Sequence, residues 1–165
     1  MDSQSAGRLG YDIGPMSGHS LPIPARLTSL LAAGLWPRNG QEAHPQNWQP
    51  LVPTERIKRF APEENTIYLE APPFRTVAQE AEGRAFRFWE TCASLGQISP
   101  SLSLIIGDFG IGSDAPIILD YRDGYADPPV LRLRWSEKVH ENSWVKCASN
   151  FDEFADLLGL DGHTE

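Results

Sequence analysis

The chain has 165 residues, 41% of them hydrophobic, and a net charge of −8, which suffices for one folded unit with its own core and no covalent staples. The acidic balance speaks against a nucleic-acid partner, since DNA or RNA binding calls for a basic stripe. No apolar run approaches the ~20 residues that span a bilayer, and the first residues lack the basic start and apolar core of a signal peptide, so neither a membrane partner nor secretion is expected, and the expected location is the cytoplasm. Cys92 and Cys147, without a secretion signal, are expected to be reduced and partly buried.

Residues 1–20 are rich in Gly and Ser and poor in apolar side chains, and read as a flexible N-terminal tail ahead of a single domain over 21–165. Pro24 stands where a first helical residue would. Leu27, Leu30, Leu31 and Leu35 follow at helical spacing, and Gly34 and Pro37 end that helix. After a polar loop, Pro53 to Ile57 reads as a second short helix stopped by Pro62. Its basic residues Arg56, Lys58 and Arg59 read as a solvated face. Thr66 to Glu70 collects β-branched and aromatic residues, and Pro72 and Pro73 bound it as a strand.

Thr76 to Glu82 predicts a short turn of helix. Phe88, Trp89, Cys92 and Leu95 then form a core-facing helical stripe, with Gly96 available as its cap. Leu102 to Ile106 and Pro116 to Asp120 are near-continuous apolar runs, expected as strands covered on at least one face. Val130 to Trp135 alternates strictly, which puts Arg132 and Arg134 in solvent. Asp123-Gly124 is turn chemistry. Asn142 to Ala148 adds a turn and a strand, and Asn150 with Glu153 reads as a capping box opening a closing helix over Phe151, Phe154, Ala155 and Leu158. The predicted class is α+β, a mainly antiparallel sheet flanked by N-terminal helices and closed by a C-terminal helix.

No complete catalytic set stands in the chain. Asp108-Phe109-Gly110 matches the magnesium-binding triplet of protein kinases, but no glycine-rich loop, strand lysine or catalytic loop accompanies it. Ser113 lacks the second glycine of a nucleophile elbow, because Ala115 stands there. The four histidines (19, 44, 140 and 163) show no metal-ligand spacing, and Cys92 reads as a packed thiol. Asp108, Asp114, Asp120 and Asp123 either stabilise turns through backbone amides or gather around a hard cation. Trp89 and Trp135 fit core positions. Trp36 and Trp48, in proline-rich surroundings, are either half-exposed interface anchors or pack loops onto the core.

The run from Ile106 to Tyr121, then Pro129 to Trp135, then Trp144 to Phe154, resembles the SMI1/KNR4 (SUKH) superfamily over about the last third of the chain. The first hundred residues are similar only in the order of their elements, and Cys147 departs from the aliphatic residue more usual there. The resemblance implies a SUKH-like α+β domain with no enzymatic activity and no cofactor. Many bacterial members are immunity proteins that neutralise toxins, often nucleases, and fungal relatives are scaffolding regulators of cell-wall synthesis. The expected function is therefore a cytoplasmic protein-binding module facing a protein partner such as a basic toxin domain. Its candidate partner-binding residues are Asp108, Asp114, Asp120, Tyr121, Asp123 and Tyr125. The alternatives are a small metal-dependent hydrolase using the four aspartates, and a structural domain without a specific ligand.

Overall fold

The computed structural model describes residues 21–83, 86–110, 114–138 and 141–161. The tail expected over 1–20, residues 111–113 with the Ser113 candidate, and three of the four histidines lie outside the described residues. The strands β1 (Ile67–Leu69), β2 (Ser103–Phe109), β3 (Pro116–Asp120), β4 (Val130–Arg134) and β5 (Ser143–Ala148) form a five-stranded sheet in chain order. Every neighbouring pair is antiparallel. The helices are α1 (Ala25–Ala32), α2 (Gly40–Ala43), α3 (Thr54–Phe60), α4 (Val77–Ala81), α5 (Phe86–Thr91) and α6 (Phe151–Leu158). This is the α+β architecture expected from the residues. Among the described residues no helix is long and apolar enough to cross a membrane.

The apolar runs are continuous because the sheet is covered on both faces. On one face Leu27 and Leu30 of α1, Ile57 of α3 and Phe151, Phe154 and Leu158 of α6 close over Ile106, Phe109, Ile117 and Leu119. On the other, Val77 of α4, Trp89 of α5, Ala93 and Ile98 pack on Ile118 and Leu131. Every residue of β3 is consequently buried. At eight residues each, α1 and α6 fall short of the ~12–15 residues that make an isolated helix even marginal. Burial of their apolar faces holds them.

Capping sharpens these short elements. Asn150 Oδ1 accepts the Glu153 N–H at 2.9 Å, while the Glu153 carboxylate reaches back to the Ser149 N–H rather than to Asn150. Gly159 ends α6 in the left-handed conformation at φ +66°. Arg56 lies over that C-terminus, its Nη1 donating to the Asp156 and Leu157 carbonyls at 3.4 Å, a placement the helix dipole favours. Of the basic cluster, Lys58 and Arg59 are exposed and Arg56 is half-buried. Thr76 and Gln79 form a complete capping box on α4. Pro24 flanks α1 instead of opening it, and α5 ends at Thr91, so Cys92 and Leu95 fall beyond the helix. Ser94, in the left-handed region at φ 49°, turns the chain there, and Gly96 is not the cap.

Two side chains, Arg132 and Trp135, lie elsewhere than their pattern suggests. Arg132 is not in solvent but 5% exposed. Its position opposite Ile117 directs it to the α1/α3/α6 face, where its guanidinium stacks 5.7 Å from the Phe109 ring and Nη1 lies 2.6 Å from Glu63 Oε2. Arg134, on the same face nearer the sheet end, stays exposed. Trp36 is fully buried, its ring against Phe151 and its Nε1 donating to the Glu70 carbonyl at 2.8 Å; loop packing is the outcome for this tryptophan. Trp135, expected in the core, is 41% exposed, and Trp48 is 67% exposed. Both cysteines are half-buried and free.

Gly107 sits where β1, β2 and β3 press together. A Cβ there would come 2.9 Å from the Tyr68 carbonyl oxygen and 3.4 Å from Ile117 Cδ1, and the backbone oxygen cannot swing aside. Gly107→Ala is expected to destabilise the fold by about 1–3 kcal/mol in urea denaturation, as overpacking does. Gly96→Ala, whose Cβ would meet open space, is the control and should stay within about 0.5 kcal/mol of the parent.

Candidate functional site: an acidic cleft on the second sheet face

A β-bulge at Ile106 sets the site. Ile105 pairs with Ile118 but Gly107 pairs with Ile117, so two residues of β2 oppose a single step of β3. Without that extra residue, the alternation from Leu104 and Ile106 would carry Asp108 into the larger core. With it, Phe109 enters that core, and Asp108, opposite Tyr68 and Pro116, turns to the α4/α5 face. A one-residue slip of register exchanges the faces of every later side chain.

Asp108 there lines a cleft of about 210 Å³, with Glu70, Phe74, Arg75, Phe88 and Trp89 among its walls. Glu70 follows β1 directly and is held by its own backbone, its N–H donating to the Ile106 carbonyl at 2.9 Å. The Thr76–Leu104 bridge and the Ile105 N–H to Arg75 carbonyl bond at 2.9 Å fasten the start of α4 to β2. Phe88 and Trp89 meet edge to face, 5.0 Å between centroids. Asp114 closes one side, and its carbonyl accepts the indole N–H of Trp135 at 2.7 Å, which brings that exposed ring to the same end of the sheet.

Burial pushes the Asp108 carboxyl up to about 8, against the lowering effect of the Ala115 N–H that donates to Oδ1 at 3.1 Å; Asp114, Glu70 and Glu64 add to the rise. Burial also raises Glu70, with Glu80 contributing. No arginine or lysine among the described residues is in ion-pair contact with either carboxyl. Arg75 is engaged elsewhere, its Nε 2.6 Å from Glu80 Oε2 and its Nη2 donating to the Gln79 carbonyl at 3.2 Å. The result is a partly desolvated acidic hollow with aromatic walls.

The six sequence candidates do not form one patch. Asp108 and Asp114 stand at the start of β3 and Asp120 at its end, separated along the strand by four residue steps of ~3.3 Å; Asp123 lies beyond Asp120. Asp120 is buried, accepting the Arg122 backbone N–H at Oδ1 and its guanidinium at Oδ2. Turn chemistry thus accounts for it. Tyr121 is also buried, its hydroxyl donating to the Pro22 carbonyl, and burial raises its phenol to about 12. Asp123 and Tyr125 are exposed. Among the described residues no group of three or more His, Cys, Asp or Glu is placed to hold a metal ion. Glu70, Phe88 and Trp135 were not singled out as site residues by sequence pattern; the placement of Glu70 just past a β1 bounded by Pro72 and Pro73 was the available signal.

Comparison with known proteins finds no matching family model, no matching curated protein and no matching solved structure.

The raised Asp108 carboxyl has a stability consequence with a definite sign. Between the carboxyl's ordinary range near pH 4 and about pH 8 the folded chain keeps a proton that the unfolded chain has lost, so stability falls as pH rises through this window, by at most about 1.4 kcal/mol per unit. Above it the slope vanishes. Asp108→Asn retains the acceptor for Ala115 and should remove that slope, so its advantage over the parent in denaturation midpoints grows from pH 5 to pH 8 and then levels off.

Proposed function

We propose that this chain is a non-enzymatic protein-binding module of the SMI1/KNR4 (SUKH) kind, acting in the bacterial cytoplasm as a toxin-neutralising immunity protein or a related regulator. The observation that carries the reading is the span of the resemblance. The three runs that resemble the superfamily, Ile106 to Tyr121, Pro129 to Trp135 and Trp144 to Phe154, fall on consecutive elements, from the second half of β2 through β3, β4 and β5 into α6. The acidic charge of −8 and the acidic cleft support a basic partner, because complementary charge speeds encounter and fixes orientation. A cleft of about 210 Å³ is smaller than the ~300–1,000 Å³ usual for small-molecule and cofactor sites, which supports a protein ligand over a metabolite. The hydrolase alternative needs four converging aspartates, and β3 separates them.

Capture from the native host with the tagged full chain is expected to retain one basic protein in stoichiometric amount, and coexpression with a toxin encoded beside its gene should restore growth. If no partner is retained and no neighbouring toxin is neutralised, the immunity reading fails. With the captured partner in hand, Asp114→Lys on the exposed rim is expected to slow association several-fold at low salt without changing the melting temperature. The difference should shrink as salt shortens the reach of surface charge. Calorimetric titration with millimolar Mg²⁺, Mn²⁺ or Ca²⁺ is expected to show no heat of binding; a saturable signal would favour the hydrolase.

A further inference from the structure

We propose that the cleft between β2, α4 and α5 is a socket for a single arginine side chain of the protein partner, an inference that rests on the protein-binding reading above. The volume sets the first limit, since about 210 Å³ accepts one long side chain but not a folded element. The walls set the second. Phe88, half-buried, and Trp89, only 4% exposed, supply aromatic surface, and Asp108 and Glu70 supply carboxyl oxygens.

A planar, delocalised cation that stacks on a ring while donating to more than one acceptor is the side chain these walls complement, and guanidinium does both where an ammonium serves only as a point charge. The cation already present is occupied, because Arg75 is held by Glu80 and by the Gln79 carbonyl. Asp108 spends Oδ1 on the Ala115 N–H, and among the described residues no donor takes its second oxygen, which an incoming donor can use.

The charged and titratable groups around Asp108 are Tyr68 opposite it on β1, Glu64 and Glu70 from the segments flanking β1, Asp114 next to Ala115 and the Arg75–Glu80 pair at α4. Most of these are acidic, and with burial they hold the Asp108 proton up to about pH 8. An entering guanidinium reverses that balance and expels the proton. Its binding is therefore coupled to pH. Arginine stays charged throughout the accessible range, so the pH dependence belongs to the socket.

The test uses the full chain and three blocked amino acids as probes, N-acetyl-arginine methylamide and its lysine and citrulline counterparts, followed by two-dimensional ¹H–¹⁵N NMR. The arginine amide is expected to shift the Trp89 indole and the Gly107 and Asp108 amides in a saturable way. Affinity should rise about tenfold from pH 7 to pH 9, as the ionised fraction of Asp108 does. Citrulline, isosteric but neutral, should give no such shifts, and lysine should bind several-fold more weakly. Asp108→Asn, which preserves the acceptor for Ala115, should abolish the response while leaving the rest of the spectrum in place. No response to the arginine amide, an equal response to citrulline or lysine, or an undiminished response in the Asn variant would each overturn the socket. Those results leave the protein-binding reading to the capture experiment: a partner retained equally by the parent and by Asp108→Asn removes the socket alone, and no retained partner removes the reading beneath it.

Discussion

The extra residue in β2 is the constraint on which the site depends. An antiparallel meander covered on both faces has no solvent side to which a misplaced polar residue can retreat, so the register of the central hairpin decides where every side chain from Leu104 to Phe109 is buried. The bulge at Ile106 resolves a conflict in that strand. It delivers Phe109 to the α1/α3/α6 core and Asp108 to a partly open cleft. Gly107, next to the bulge, lets β1 press close against β2, since the Tyr68 carbonyl occupies the space a side chain would need.

A second polar group shows the same economy with the opposite outcome. Arg132 is carried into the larger core by its place in β4, and it is accommodated there by the Phe109 ring and by Glu63. Burial pushes the Glu63 carboxyl up, but the charges and contact of Arg132 and Arg134 outweigh it and hold the group ionised below its ordinary range. Asp108 has no such cation among the described residues, and burial dominates there instead. One buried ionisable group is neutralised by a partner within the fold. The other is neutralised by a proton, which a cation from outside can displace.

This difference separates structural from available acidity. Asp120 is committed to Arg122, and Glu80 to Arg75. Asp108 and Glu70 are held by the sheet but not by a counter-charge, and the aromatic walls of α5 keep water partly away from them. Low local dielectric raises the value of any ion pair formed there, and geometry limits it to one narrow side chain.

The residues themselves determined the class of the fold, because its signals are local. Apolar runs bounded by glycine and proline give β2 and β3, Asn150 with Gly159 brackets α6, and Thr76 with Gln79 caps α4. The acidic balance was legible in the same way. What only the tertiary structure decided were the faces and the distances. Strict alternation placed Arg132 in water, yet a sheet covered on both sides leaves little water for it, and Trp135, expected in the core, lies 41% exposed at the sheet end with its indole N–H on the Asp114 carbonyl. Asp108 and Asp120 are close in sequence but stand at opposite ends of β3. Glu70, Phe88 and Asp108, far apart in sequence, line one cleft. A bulge shifts register by one residue with no mark in composition, and convergence of distant segments depends on how the sheet and its helices pack, which periodicity within any single segment does not encode.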